Sequence, residues 1–126
     1  MSNAPDSLRY TKEHEWVRVE EDGVLVVGIT DHAQDSLGDI TFVDLPQPGN
    51  RFGNGEVFGV VESVKAASDL FLPVVGEVVE VNDSLDASPE KVNTDPYGEG
   101  WMVKIKADDP ASVDSLLSSR EYLSVL

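Results

Sequence analysis

Gly55-Glu56-Val57-Phe58-Gly59-Val60-Val61-Glu62 and Gly76-Glu77-Val78-Val79-Glu80-Val81 are two versions of one pattern. Each opens on glycine and glutamate and runs into β-branched and aromatic residues, which fit a pleated, half-buried surface. Two such strand units around a short connection predict a pseudo-symmetric β-sandwich or flattened barrel. Between them lies Ser63-Val64-Lys65-Ala66-Ala67-Ser68-Asp69, so a lysine with small neighbours falls at the turn joining the two units.

The same texture continues outward. From Tyr10 to Val81, short runs of β-branched and aromatic residues are cut by Gly, Pro, Asn and Asp, which predicts a mostly β chain. His14-Glu15-Trp16-Val17-Arg18-Val19 alternates polar and apolar, Glu21-Asp22-Gly23 turns the chain, and Val24 to Ile29 returns as the second strand of a hairpin. Thr30 to Leu37 lacks β character and stops at Gly38; with Thr30 or Asp31 as cap, it reads as a short internal helix. Ile40-Thr41-Phe42-Val43 resumes the sheet, and Gly53-Asn54-Gly55 reads as a hairpin turn. After Asp108-Asp109-Pro110 the spacing Val113, Leu116, Leu117 predicts one C-terminal helix or two, with Tyr122-Leu123 and Val125-Leu126 packing back on the body. No linker or low-complexity run divides the chain, so residues 1–126 are expected to form a single domain with a flexible N-terminus over 1–7.

The chain has 126 residues, 24 Asp plus Glu against nine Lys plus Arg, two His and no Cys, for a formal net charge of −15. That charge repels phosphate backbones and anionic membranes, because both are held by Lys and Arg. It favours encounters with positively charged protein surfaces, or serves solubility alone. Without cysteine the chain has no disulfide, no thiolate nucleophile and no zinc–sulfur site. No apolar stretch reaches the ~18–20 residues of a membrane span. The N-terminus has neither signal-peptide nor transit-peptide character, which predicts a bacterial-type cytoplasmic protein, with a mature organellar form as the alternative.

Catalytic constellations are absent from the sequence pattern. His14 and His32 are far apart with no His-Glu-x-x-His motif, so no metal site is expected. Gly53-Asn54-Gly55 is not followed by the Lys-Ser or Lys-Thr of a phosphate loop. Asn82-Asp83-Ser84-Leu85-Asp86 lacks the glycine and terminal glutamate of a calcium loop and reads as a solvated turn. No serine stands in Gly-x-Ser-x-Gly. Lys65 remains. A lysine in a polar turn is ordinarily a solvated charge, but small neighbours on a rigid β scaffold also suit a side chain that a modifying enzyme must close over.

Glu62-Ser63-Val64-Lys65-Ala66-Ala67-Ser68-Asp69 resembles the lipoyl-attachment segment of the H proteins of the glycine cleavage system. The resemblance extends through His14-Glu15-Trp16-Val17, Val27-Gly28-Ile29-Thr30-Asp31-His32-Ala33-Gln34 and Pro73-Val74-Val75-Gly76-Glu77 to Asn93-Thr94-Asp95-Pro96-Tyr97-Gly98-Glu99-Gly100-Trp101, from about Leu8 onward. It implies a barrel-sandwich hybrid of the lipoyl/biotinyl-domain type with a short internal helix and a C-terminal helix. It also implies a non-catalytic carrier with lipoate in amide linkage to Lys65 (N6-lipoyl-lysine). The lipoyl arm would take the aminomethyl group of glycine from glycine decarboxylase (P protein) to the aminomethyltransferase (T protein), with reoxidation by dihydrolipoamide dehydrogenase (L protein). A lipoate ligase, or an octanoyltransferase with lipoyl synthase, would modify Lys65, reading Glu62 and Ser63 beside it; Glu62 could equally be only a charge partner for Lys65. The positions matching the family's protective cleft are Glu15 and Asp69, where a carboxylate would bind the cationic aminomethyl group; their alternative reading is two solvated acids. Trp16 and Trp101 read as core-facing scaffold.

Rival readings separate on local sequence. A lipoyl domain of a 2-oxo acid dehydrogenase more often reads Asp-Lys-Ala within a larger chain, and a biotin carrier reads Met-Lys-Met, where this chain has Val64-Lys65-Ala66. A lipoyl relay that serves other enzymes stays open on sequence alone.

Overall fold

The computed structural model describes residues 4–20 and 23–125. Among these, the strands in chain order are β1 (Arg9–Tyr10), β2 (Glu15–Val19), β3 (Val24–Ile29), β4 (Ile40–Asp44), β5 (Arg51–Phe52), β6 (Val57–Ser63), β7 (Ala67–Phe71), β8 (Gly76–Val81) and β9 (Val103–Ala107). Four short helices join them: α1 (Asp31–Leu37), α2 (Ser84–Ala87), α3 (Lys91–Thr94) and α4 (Ser119–Ser124). The strands make two antiparallel sheets, one ordered β1-β2-β3-β9-β8-β5 and one ordered β4-β6-β7. This is the mostly β architecture with an internal and a C-terminal helix that the sequence predicts.

The main core lies between the sheets. Val17, Leu25, Val27, Val78, Val103 and Ile105 of the large sheet meet Val43, Phe58, Val61 and Leu70 of the small one. β3 is buried along nearly its whole length because both of its faces are covered. Leu25, Val27 and Ile29 point into the main core, while Val26 joins Leu8, Tyr10, Trp16 and Tyr122 in a second cluster on the outer face. A strand covered on both sides reads as a continuous apolar run, which is what Val24 to Ile29 is.

Local signals account for the elements that position the site. β2 and β3 pair from Glu15↔Ile29 to Val19↔Leu25; the expected turn residues Glu21 and Asp22 lie outside the described residues. Thr30 caps α1, its side-chain oxygen accepting the Ala33 N–H, and Gly38 ends the helix at φ +79°, a conformation that suits glycine. Of the expected flexible N-terminus, residues 1–3 lie outside the described residues, and the Pro5 carbonyl accepts the Tyr10 hydroxyl at 2.6 Å.

Several expectations need correction. The two repeat units fall one in each sheet, β6 in the small and β8 in the large, as a sandwich requires, but the lysine turn does not join them: it joins β6 to β7. Gly53-Asn54-Gly55 is therefore a crossing between sheets and not a hairpin, since β5 pairs with β8. The Val113–Leu117 stripe is not α-helical. Pro110–Ser115 is a 3₁₀ turn, after which Leu117 bridges to Tyr10, a partner far away in sequence, and the helix begins only at Ser119. Asn82 is buried and not solvated, its amide donating to the Glu99 and Trp101 carbonyls at 2.8 and 2.7 Å. Trp16 is wholly buried as expected, whereas Trp101 is half-buried under the Lys104 ammonium, and at the C-terminus Tyr122 packs back on the body as expected while Leu123 and Val125 are exposed and Leu126 lies outside the described residues.

Among the described residues, no helix is long and apolar enough to cross a membrane.

Trp16 sits opposite Gly28 across the β2–β3 ladder, and its indole N–H donates to the Pro96 carbonyl at 2.9 Å. A Cβ on Gly28 would stand 2.7 Å from the indole ring. We therefore expect Gly28→Ala to destabilise the protein by about 1–3 kcal/mol through overpacking, read by urea unfolding followed by tryptophan fluorescence.

Candidate functional site

Lys65 stands on the turn between β6 and β7, whose register is Glu62↔Ala67, Val61↔Ser68 and Val60↔Asp69. The turn is braced from within. The Ser63 N–H donates to the Ala66 carbonyl at 2.8 Å, and the Ser63 hydroxyl oxygen accepts the N–H groups of Lys65 and Ala66, both at 3.2 Å. A serine hydroxyl in this position satisfies tip amides that a hairpin turn otherwise leaves to water. The turn is also tied sideways, because the Val64 N–H donates to the Asp39 carbonyl at 3.1 Å. Lys65, Ala66 and Ala67 are exposed and Val64 is 67% exposed. Glu62 is exposed too, and among the described residues no ion pair joins it to Lys65.

The platform under this turn is the end of α1. A Cβ on Gly38 would stand 3.4 Å from Cε of Lys65, so the lysine stem runs closely past a glycine. Asn93 of α3 fixes that platform. Its side-chain amide donates to the Gly38 carbonyl and to the Gln34 side chain, each at 2.9 Å, and its oxygen accepts the Ile40 N–H at 2.9 Å. One side chain thus holds the last turn of α1 to the first residue of β4.

Between α1 and β7 lies a cleft of about 240 Å³ lined by His14, His32, Ala33, Leu37 and Ser68, with Glu13 at its margin. It starts beside the lysine turn, since Ser68 is three residues past Lys65 and Leu37 adjoins Gly38. The two histidines, distant in sequence, are in ring contact there with centroids 4.7 Å apart.

The two expected acids are not equivalent. Asp69 is exposed on β7, and Ser68 rather than Asp69 lines the α1–β7 cleft. Glu15 is only 2% exposed. One carboxyl oxygen accepts the Phe71 N–H of β7 at 2.7 Å and the other accepts the Thr11 hydroxyl at 3.2 Å. Burial pushes its pKa up to about 8, against the opposing pull of those two hydrogen bonds. The carboxyl also borders a second cleft of about 240 Å³, among Tyr10, Thr11, Phe71 and Leu116. Chemically, this is a neutral acid at pH 7 that an incoming cation would convert to a carboxylate.

The sequence reading singled out Lys65, Glu62, Ser63, Glu15 and Asp69. The structure gathers the first three on one braced turn and places Asp69 two residues before Phe71, the strand residue that binds Glu15. Asn93, Gly38 and the His14–His32 pair were missed. Gly38 was legible only as a helix stop, and nothing local marks Asn93 as the clamp beneath it.

The model of the glycine cleavage H-protein family matches residues 8–126 of this chain. A glycine cleavage system H protein from Edwardsiella ictaluri is 56% identical over 126 residues, all of this chain and 98% of that one. Another from Alteromonas mediterranea is 58% identical over 122 residues, covering 97% of this chain and 95% of its own. The crystal structure of a glycine cleavage system H protein from Mycobacterium marinum superposes with a TM-score of 0.89 at 40% identity, over 96% of this chain and 97% of that one.

Glu15 makes folding pH-dependent in a direction opposite to most carboxylates. With a folded pKa near 8 against an ordinary 4.5, folding takes up a proton between those values. The stability linked to Glu15 is full below about pH 4.5 and is lost as pH rises to about 8. Gln keeps the shape and can still bond Phe71 and Thr11. We expect the stability of the wild type relative to Glu15→Gln to fall across that window in urea titrations; a pH-independent difference would refute the buried neutral acid.

Proposed function

The chain belongs to the glycine cleavage H-protein family, and from that premise we propose that Lys65 carries lipoate in amide linkage and makes the protein the lipoyl carrier of a cytoplasmic glycine cleavage system. The observation that carries this reading is the lysine turn itself: an exposed amine on a hairpin braced by Ser63 and tied to Asp39. The residues around it fit the group. Ala66, Ala67 and Ser68 leave room for a modifying enzyme to close over the lysine, and Ala33 and Leu37 offer an arm apolar surface beside the turn.

When bound, the lipoyl group supplies a dithiolane that accepts the aminomethyl group of glycine at the decarboxylase (P protein), yields it to the aminomethyltransferase (T protein), and is reoxidised by dihydrolipoamide dehydrogenase (L protein). The remaining work is done by the chain's own residues. Glu62 and Ser63 flank Lys65 and present the segment read by a lipoate ligase, or by an octanoyltransferase acting with lipoyl synthase. Ser63 also keeps the turn in one conformation, so the amine is met in a single pose. The α1–β7 cleft shelters the arm from water. Glu15 holds the cationic amine at the arm's end from the neighbouring cleft that it borders, with Asp69 as an exposed carboxylate on the same strand that binds Glu15: the approaching cation favours the carboxylate form of Glu15, and a charge-assisted hydrogen bond forms at the cost of a released proton. The chain acts as a non-catalytic carrier, because bond making and breaking fall to the partner enzymes.

Intact mass of protein from cells supplied with lipoate, with peptide mapping, tests this directly. We expect a lipoyl-sized increment on Lys65 that disappears in Lys65→Arg. Lipoylated wild type should support decarboxylase-dependent exchange of carbon dioxide with the carboxyl of glycine, and Lys65→Arg should not. An unmodified Lys65 after incubation with active lipoate ligase would overturn the reading.

A further inference from the structure

His14 occupies a backbone position that glycine would fill without strain. Between β1 and β2 the Thr11 carbonyl accepts the His14 N–H at 3.1 Å, the Thr11 N–H donates to the Glu15 carbonyl at 3.0 Å, and His14 has φ +67°. A three-residue hairpin loop of this kind ends on a left-handed residue, where glycine is the usual occupant. Here the imidazole is held instead. Its Nδ1 lies 2.8 Å from the Tyr122 hydroxyl, which lies 2.7 Å from the Thr30 hydroxyl.

Buried-group satisfaction sets the direction of this chain. Thr30 is wholly buried, and its oxygen already accepts the Ala33 N–H at the cap of α1. Its hydrogen therefore goes to Tyr122, Tyr122 donates to Nδ1 of His14, and the imidazole proton sits on Nε2. The reverse order would leave a buried hydroxyl hydrogen without an acceptor.

We propose that Tyr122 is a positioning residue of the α1–β7 cleft, holding His14 as the neutral Nε2–H tautomer and, with it, the start of β2 that carries Glu15. The role in arm protection rests on the carrier reading above. Tyr122 is itself well anchored: its ring stacks on Tyr10 at 4.8 Å and 13°, and its helix is closed by a capping box of Ser118 and Glu121. The C-terminal helix thereby braces a residue of the cleft without lining it. The titratable groups around His14 are His32 in ring contact, Glu13 and Glu15 on either side in the chain, Tyr122, and Asp31 at the start of α1. Burial and His32 hold the His14 pKa below its usual range, with Glu13 opposing.

Two variants test this without dismantling the fold. Tyr122→Phe keeps the ring on Tyr10 and removes only the hydroxyl, and His14→Gly removes the imidazole at a position where glycine is relaxed. Nitrogen NMR of His14 in unlipoylated protein should show the Nε2–H tautomer in the wild type. In Tyr122→Phe we expect a mixed tautomer and a higher titration midpoint. Formaldehyde release from lipoylated protein, loaded with glycine and decarboxylase, should speed up about two- to tenfold in each variant, the factor that one net hydrogen bond corresponds to. Lipoylation of Lys65 should be unchanged, and the double variant should be no worse than His14→Gly. An Nδ1–H tautomer in the wild type, an unaltered His14 in Tyr122→Phe, or an altered His14 with unaltered release would each overturn the proposal. If loaded wild type decays as fast as a loaded lipoyl peptide, it is the protection reading that fails, and the tautomer result still decides the hydrogen-bond chain.

Discussion

The carboxyl group of Glu15 joins the two sheets where no backbone ladder does. β2 belongs to the large sheet and β7 is an edge of the small one, so the N–H of Phe71 has no strand partner on that side. An edge amide buried without an acceptor costs about as much as a lost hydrogen bond, and the Glu15 oxygen at 2.7 Å removes that cost. The joint has its own cost. Two neutral donors and no cation at the carboxyl leave a buried acid in its protonated form. The geometry that holds β7 in place is thus also the geometry that makes Glu15 responsive to charge. At the other end of β7 stands Lys65, so the pose of the lysine depends on how this edge is held.

What could be read in the sequence was what local chemistry determines. The β2–β3 hairpin, α1 from its Thr30 cap to its Gly38 stop, and the exposed turn at Lys65 all follow from alternation, capping and small polar turn residues. Features set by distant partners were not legible. The repeat units fall one in each sheet, in keeping with a sandwich, but the intervening strand β7, which pairs with β6 and so takes the lysine turn, was not legible between them. The Val113–Leu117 stripe has helical spacing, but Leu117 pairs with Tyr10 in a bridge, and that contact outweighs a marginal helical preference. The site divides in the same way. Lys65 was found from its own surroundings, and Glu15 from resemblance alone. The burial that gives Glu15 its chemistry comes from β7, and the His14–Tyr122 contact joins residues at opposite ends of the chain.

Charge distribution complements this division. The chain has 24 acids against nine bases, and the ion pairs among the described residues, such as Arg51 with Asp108, lie at the surface. Such pairs add little stability. The excess negative field instead acts at a distance, raising encounter rates with positively charged protein surfaces. Amide formation at Lys65 would remove a cation from the exposed turn and deepen that field at the tip presented to partners.

A carrier has to meet two opposite solvent requirements with one arm. Attachment and delivery need the lysine in water, where enzymes reach it, and storage of a hydrolysable group needs water excluded. For the proposed carrier role, the fold offers the two environments along a single strand. From Ala67 to Phe71 there are four strand steps, about 13 Å at ~3.3 Å per residue; one end opens on the exposed Lys65 turn and the other on the buried Glu15 carboxyl. The first end is held by Ser63, Asp39 and the Asn93 clamp under Gly38. The second is held by Thr11 and, one residue before Glu15, by the His14 contact to the C-terminal helix. The two ends have separate supports but share β7, so the proposed attachment and protection sites are coupled through the strand itself and not through common side chains.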